Sequence, residues 1–465
     1  MKLRSLFAIL FWSIAVPTEA QNELPQEGAW ITTTDQSRLL RFSASLNFKD
    51  EKTFGTRIEI DTARTYQTMD GFGFALTGGS AGLIFRLNAD LRSTLLKELF
   101  VPGGNGVGVS YLRISIGASD LDDHVFSYDD LAEGKTDPTL SAFSLKEDQA
   151  YLIPLLKEIL ALNPEIKIIA SPWSAPRWMK TNDQAKGGSL NPAYFKTYAN
   201  YFVKYIGEMA KEGISVEAIT IQNEPENPGN TPSMVMTAAE QNEFVKNYLG
   251  PAFKSANMKT KIILFDHNAD HPDYPISILN DPITKQYVDG TAFHLYLGEV
   301  SALSTVHDAH PDKNIYFTEQ WTSGKGNFGG DLQWHITNLI IGATRNWSKN
   351  VLEWNLAADE NFNPHTPDGG CDLCQGALTI GQTIKRNVSY YIIAHASKFV
   401  PSGSVRISSS WVEALPNVAF RTPAGKKVLI VINSTKKENS FGVRYKNRLA
   451  ITSLPAGAVA TYVWK

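Results

Sequence analysis

From Ser80 to about Ala396 the chain alternates short, β-branched apolar runs with longer segments whose apolar residues recur at three- and four-residue steps. The short runs predict strands over Gly71–Thr77, Val109–Ile116, Ile166–Ala170, Ala218–Gln222, Lys261–Phe265, Gly290–Tyr296, Asn314–Thr318 and Val351–Asn355. Between them, Ala89–Phe100, Lys146–Leu162, Pro192–Lys211, Ala238–Lys254 and Leu332–Trp347 carry helical periodicity. Strands alternating with helices imply a parallel sheet wrapped by helices. About eight such units are what a closed (β/α)8 TIM barrel requires. Two helix starts are also marked: Ser144 with Glu147 reads as a capping box, and Asn191-Pro192 as an N-cap followed by proline in the first turn.

The flanks have a different pattern. Gly28–Arg64 and Val405–Lys465 lack helical periodicity, alternate in runs such as Lys427–Asn433 and Val459–Trp464, and carry turn signals at Pro423-Ala424-Gly425 and Pro455-Ala456-Gly457. Both ends together predict a small β-sandwich beside the barrel, so that residues 21–66 and 397–465 supply its strands and 67–396 the barrel. The first twenty residues run from Met1-Lys2-Leu3-Arg4 through the apolar stretch Ser5–Val16 to small residues ending at Ala20, the form of a secretory signal peptide. A secreted or periplasmic destination follows from that reading. No stable membrane insertion is expected, because no other stretch approaches about 18 apolar residues.

Composition narrows the partners. Lys and Arg number 44 against 47 Asp and Glu, a formal charge of -3, so the basic excess that grips nucleic acid is missing. The only cysteines, Cys371 and Cys374, have no second ligand pair to make a zinc site, and in an exported chain a local disulfide stapling Gly369–Gly376 is favoured over free thiols.

Two glutamates stand where a barrel strand runs out, the place barrel enzymes put their chemistry. Glu224 ends Ala218-Ile-Thr-Ile-Gln-Asn-Glu-Pro225, and Glu319 ends Asn314-Ile-Tyr-Phe-Thr-Glu. Cleaving a glycoside with retention needs a protonated carboxyl for the leaving oxygen and an ionised one for the anomeric carbon, about 5–5.5 Å apart. The fourth and seventh strands can face each other across one barrel mouth, and the anion of Glu319 is expected to raise the pKa of Glu224.

The chain resembles glycoside hydrolase family 30, the glucosylceramidase-like family of barrel glycosidases. The likeness lies in Asp70-Gly-Phe-Gly-Phe-Ala-Leu-Thr77, Ala170-Ser-Pro-Trp-Ser-Ala-Pro-Arg-Trp-Met-Lys-Thr181, Gln222-Asn-Glu-Pro225, Ala292-Phe-His-Leu-Tyr296, Thr318-Glu-Gln-Trp321, Glu353-Trp-Asn-Leu-Ala357 and Ser397-Lys-Phe-Val-Pro-Ser-Gly403. The resemblance implies Glu224 as acid/base, Glu319 as nucleophile, Asn223 on the sugar 2-hydroxyl, and Trp173, His294, Tyr296 and Trp354 around the reacting sugar. It implies neither cofactor nor metal. The partner it implies is a β-linked glucan or another β-glycoside. Glucosylceramidases carry an aspartate after the threonine of the first motif, where this chain has Gly78, and an aromatic where it has Leu295. Leu76-Thr-Gly-Gly-Ser-Ala81, Thr318-Glu-Gln-Trp321 and Gly369-Gly-Cys-Asp-Leu-Cys374 look more like the bacterial branch acting on β-1,6-glucans. Asp120 and Asp122 are then candidates for replacement hydroxyl contacts.

Other readings compete. Glucosylceramidase-like β-glucosidase, β-xylosidase and xylanase activities differ only in loops. A non-catalytic glycan-binding protein would have lost a carboxylate, and both are present. Gly78-Gly-Ser-Ala-Gly82 matches a serine-esterase elbow, but too few strands precede it, and Ser80 reads more simply as a helix N-cap. Gly324-Lys-Gly-Asn-Phe-Gly329 stands too far beyond its strand for a dinucleotide turn. His267 and His271 lie in a loop rather than on a metal-binding helix. The oligomeric state is not encoded in any of these patterns.

Overall fold

The eight short apolar runs pair in chain order into one closed parallel barrel in the computed structural model, which describes residues 26–51 and 53–465. The expected signal peptide, residues 1–20, lies outside the described residues. The barrel strands are β1 (Gly71–Ala75), β2 (Tyr111–Ser115), β3 (Lys167–Ser171), β4 (Ala218–Thr220), β5 (Lys261–Ala269), β6 (Val288–Gly298), β7 (Asn314–Glu319) and β8 (Ser348–Asn355). Both faces of such strands are covered, which is why they read as continuous apolar runs.

Inside the barrel, Tyr111, Ile169, Ala218, Ile263, Ala292, Tyr316 and Leu352 pack as a single cluster. They come one each from β2 to β8. In β1 the neighbouring position is Gly73, whose missing Cβ would sit 1.8 Å from the Tyr111 carbonyl oxygen. The small residue lets two strands approach where two tyrosines already fill the bore.

The helices fall where the periodicity places them, with differences at their starts. Asn191 caps as expected, accepting the Ala193 N–H at 3.0 Å. Ser144 and Glu147 make no capping box. Ser144 instead accepts the Lys146 N–H at 3.2 Å, and the helix proper begins at Leu152. A capping box does form at Thr237 and Glu240. Ser80 is not an N-cap: Thr77 takes that role for the helix Gly78–Phe85, and the buried Ser80 hydroxyl donates to Asn355 Oδ1 at 2.7 Å. A hydroxyl so committed is no esterase nucleophile.

Strands within residues 28–68 and 405–464 form one nine-stranded sheet with its own apolar core. In it Gly28–Thr32 pairs antiparallel with Val459–Trp464, the last strand of the chain. The helix Val388–Ser397 that follows β8 is fastened to both of these strands by His395, which lies 2.8 Å from Thr32 Oγ1 and 2.9 Å from Thr461 Oγ1. Thr32 Oγ1 accepts the Leu40 N–H, and its own proton is free to be donated to an unprotonated Nε2. Thr461 Oγ1 donates to the His395 carbonyl, so it accepts from Nδ1–H. These partners select the neutral imidazole in one tautomer.

Burial therefore holds His395 neutral down to about 3, against an ordinary value of 6.5. The unfolded chain takes up this proton first, so the contribution is complete above pH 6.5 and is lost as pH falls toward 3. In urea unfolding of wild type and H395Q, the stability difference between them is expected to shrink by about 3 kcal/mol from pH 7 to pH 4. A difference that stays constant with pH would contradict the neutral staple.

Candidate active site

Two residues beyond the apolar ring, the inward positions of the strands turn polar. Arg113 follows Tyr111, Ser171 follows Ile169, Thr220 follows Ala218, His294 follows Ala292, and Thr318 follows Tyr316. Strand β5 breaks the alternation. Phe265 and Asp266 both adopt left-handed backbone, with φ of 69° and 71°, and the pairing with β6 shifts register between Phe265 and His267. This bulge brings in the fully buried Asp266 carboxylate. Arg113 at 2.8 Å, Thr220 at 2.6 Å, Thr318 at 2.6 Å and His294 Nε2 at 3.1 Å surround it.

Arg113, itself fully buried, divides its guanidinium among Asp266, Glu319 Oε2 at 2.5 Å and Asn223 Oδ1 at 2.7 Å. Glu319 receives a second bond, from the Tyr296 hydroxyl to Oε1 at 2.8 Å. Glu224 stands opposite. Its Oε1 lies 3.3 Å from His294 Nδ1, and its Oε2 accepts from Asn227 at 2.7 Å and Asn230 at 3.2 Å. An oxygen of Glu224, an oxygen of Glu319 and a ring nitrogen of His294 all lie within 4.8 Å of one another. By geometry this triangle could ligate an ion, but the countercharge an ion would bring to Glu319 is already supplied by Arg113.

Glu224 pays for its place with a left-handed backbone, φ 47°, directly before Pro225. Its N–H donates to the Asp266 carbonyl at 3.0 Å, and the preceding Asn223 N–H to Pro172 at 2.8 Å, so adjoining strands over-determine the conformation.

The charges interact strongly. Burial disfavours the imidazolium of His294, but Glu319, Asp266 and Glu224 together push it up to about 9. Burial also opposes ionisation of Glu224, yet the hydrogen bond and charge of His294, with His267 and Asn227, bring it down to about 2. Asp266, despite its burial, is held well below the usual carboxylate range, chiefly by Arg113. Glu319 is raised above its ordinary 4.5, by burial first and by Glu224. The expectation of a raised Glu224 considered two carboxylates alone. The cation between them reverses its direction.

Above these groups lies a cleft of about 190 Å³, with Glu224, Glu319, Tyr296, Trp173 and Trp354 in its lining. Trp173 and Trp354 stack with centroids 5.3 Å apart, and the Arg113 guanidinium sits 4.8 Å from the Trp173 ring. All seven sequence-derived site residues are thus brought together, and Asp120 lines the same cleft. Asp122 does not. It accepts from Ser119 N and Oγ at 2.7 and 2.8 Å, and lines a separate cleft of about 250 Å³ with His124 and Glu147. Its Oδ1 stands 1.9 Å from where a Cβ on residue 78 would be, so Asp122 fills the space that a side chain at Gly78 would need. Arg113 and Asp266 were missed. Arg113 had a signal, a lone charge inside an apolar strand in phase with Tyr111.

Two family models match: the glycosyl hydrolase family 30 TIM-barrel domain over residues 69–400, and the family 30 beta sandwich domain over residues 403–462. The endo-1,6-beta-D-glucanase neg1 of Aspergillus fumigatus is 35% identical over 84% of this chain and 82% of its own length. A putative glucosylceramidase 2 of Caenorhabditis elegans is 30% identical over 89% of this chain and 83% of its own. Among solved structures, the endo-beta1,6-glucanase BT3312 superposes with a TM-score of 0.87 at 38% identity, covering 94% of this chain and 98% of its own.

Arg113→Met strands two buried anions, and is expected to cost about 3–5 kcal/mol in urea unfolding. Adding Asp266→Asn removes one of those anions and should recover part of the loss. Equal stability of the single and double variants would show that the ion pair is not what holds this layer together.

Proposed function

The chain belongs to glycosyl hydrolase family 30, and from that premise we propose that it is a retaining endo-β-1,6-glucanase in which Glu319 is the nucleophile and Glu224 the acid/base. The observation that carries the mechanism is the approach of an oxygen of Glu224 and an oxygen of Glu319 to within 4.8 Å, which fits the close carboxyl pair of direct displacement rather than the separation of roughly 6.5–9.5 Å found in inverting enzymes. Relatives named endo-1,6-beta-D-glucanase, in more than one fungus, support the linkage and the endo mode. That the substrate is a β-linked glycan also fits the glucosylceramidases among the relatives.

In the first step Glu319 attacks the anomeric carbon. Arg113 and Tyr296 each hold one of its oxygens, which aims the carboxylate and favours its anion against burial. The proton for the departing oxygen is held by Glu224 and His294 jointly. Asp266 fixes one proton on His294 Nε2, and a second proton is shared across the 3.3 Å bond from Nδ1 to Glu224. A carboxylate beside an imidazolium and a carboxylic acid beside an imidazole differ only in where that proton rests. Once Glu319 is glycosylated, Glu224 takes a proton from water and hydrolysis releases the sugar with retained configuration.

The Asn223 oxygen is committed to Arg113, which turns the amide hydrogens to the 2-hydroxyl. Trp173 and Trp354 offer apolar faces to the ring. Asp120, pushed up to about 8 by burial and by Glu319 and Glu224, is a neutral acid able both to donate to and accept from a sugar hydroxyl. Export is part of the same reading, resting on the sequence of residues 1–20. Among the described residues no helix is long and apolar enough to cross a membrane.

Hydrolysis of β-1,6-glucan, β-1,3-glucan, glucosylceramide and xylan by wild type and E319A tests the assignment. β-1,6-glucan should be cleaved, early product NMR should show the β-anomer, and E319A should be inactive. An inverted product would refute the mechanism, and cleavage of another glycan alone would refute the linkage. Glu224→Gln should lower kcat by about 10²–10⁴.

The pH profile follows from the same groups. Activity should rise as Glu319 ionises, above its usual range of 4.5, and fall as the Glu224–His294 pair releases its proton near about 9. His294→Asn should move the alkaline limb to lower pH. An unmoved limb would exclude His294 from the proton store.

A further inference from the structure

Beyond β8 the chain runs from Asp359 to Leu373 without helix or strand, a long irregular loop for a barrel of this size. It is tied down at four places. Thr366 N–H donates to the Asp120 carbonyl at 2.9 Å, and Thr366 Oγ1 to the Thr231 carbonyl at 2.6 Å. Gly324 N–H donates to the Leu373 carbonyl at 2.8 Å, and Cys374–Gln375 pairs antiparallel with Thr322–Ser323. One loop thereby joins those that follow β2, β4 and β7. At Gly370 the packing leaves no space, since a Cβ there would lie 2.7 Å from the Asp120 carbonyl oxygen.

The disulfide between Cys371 and Cys374 closes inside this loop. Its sulfur-bearing residues line the cleft beside Glu224 and Glu319, and they pack with Trp173 and Trp354 in a small apolar cluster against which Trp321 rests. The Cys371 backbone N–H lies near enough to the Asp120 carboxyl group to favour its anion. A cross-link three residues apart constrains the unfolded chain far less than one closing a long loop, so global stability is a small part of what it supplies. What it fixes is local shape.

We propose that the Cys371–Cys374 disulfide is a positioning element for the substrate, setting the wall of the sugar-binding cleft and the placement of the Asp120 carboxyl group within it. The inference rests on the glycosidase reading of Glu224 and Glu319. Opening the bond leaves those glutamates in place, held by Arg113, Tyr296 and His294. Binding should suffer, and chemistry on bound substrate should not.

The test compares wild type with C371S/C374S, each also in a D120N background, on whichever glycan of the panel above the wild type cleaves, so a wrong linkage leaves the comparison intact. For C371S/C374S the expected KM rises about tenfold, the worth of one good polar contact, while kcat stays within about twofold. Its thermal midpoint should stay close to that of wild type. In the D120N background the same cysteine substitutions should raise KM by less than about twofold, because residues acting through one contact are not additive. An unchanged KM, or losses that multiply independently, would overturn the proposal. If C371S/C374S does not melt cooperatively, the native enzyme is assayed before reduction, in dithiothreitol and after reoxidation. A reversible rise in KM supports the positioning role, and a constant KM overturns it. Mass mapping of a 2-deoxy-2-fluoro glycosyl label checks the site separately: label on Glu319 upholds the reading, and label elsewhere removes it together with this inference.

Discussion

Everything at the mouth of this barrel depends on one buried guanidinium. Arg113 is fully enclosed, and it meets a carboxylate from β5, a carboxylate from β7 and an amide just beyond β4. Desolvating an arginine is costly unless its planar fork is filled, and here the fork is filled by groups from three strands. The constraint runs in both directions. Asp266 stays ionised because Arg113 is present, Asp266 holds a proton on His294 Nε2, and His294 sets the charge of Glu224. The glutamates face each other in a fixed charge pattern before any sugar arrives.

This arrangement concentrates cost in one layer and support in the layer beneath it. Above the apolar ring are buried charges, a β-bulge and a non-glycine residue in left-handed backbone. Below them the bore is filled by Tyr111, Tyr316 and aliphatic side chains, and Gly73 lets β1 close against β2. A closed barrel can bear the strain because every strand has two neighbours and no edge is available to relax.

The legible parts of the sequence were those governed by repetition. Each barrel strand is an apolar run ended by polar residues, and each of the eight could be placed, because burial on both faces leaves the same signature every time. Glu224 and Glu319 were legible for a related reason, each being the first carboxylate at or just beyond the end of its strand. Asp266 was hidden because a bulge uses up one residue, and every rule of alternation fails from that point onward. Arg113 was visible as a charge out of place, but Asn223, Asp266 and Glu319 are more than a hundred residues away, and only the closed barrel brings them within bonding distance. The helix starts at Ser80 and Ser144 went astray because several small polar residues compete for one cap, and the surrounding packing chooses among them.

The first described strand, Gly28–Thr32, finds its partner in Val459–Trp464, at the opposite end of the chain. During synthesis that partner emerges only after every barrel strand, so the sheet cannot be completed while any of the barrel remains to be made. Helix Val388–Ser397, which His395 fastens to both strands, also waits for it. The order of manufacture therefore delays this locking step until the barrel that it clasps has been made.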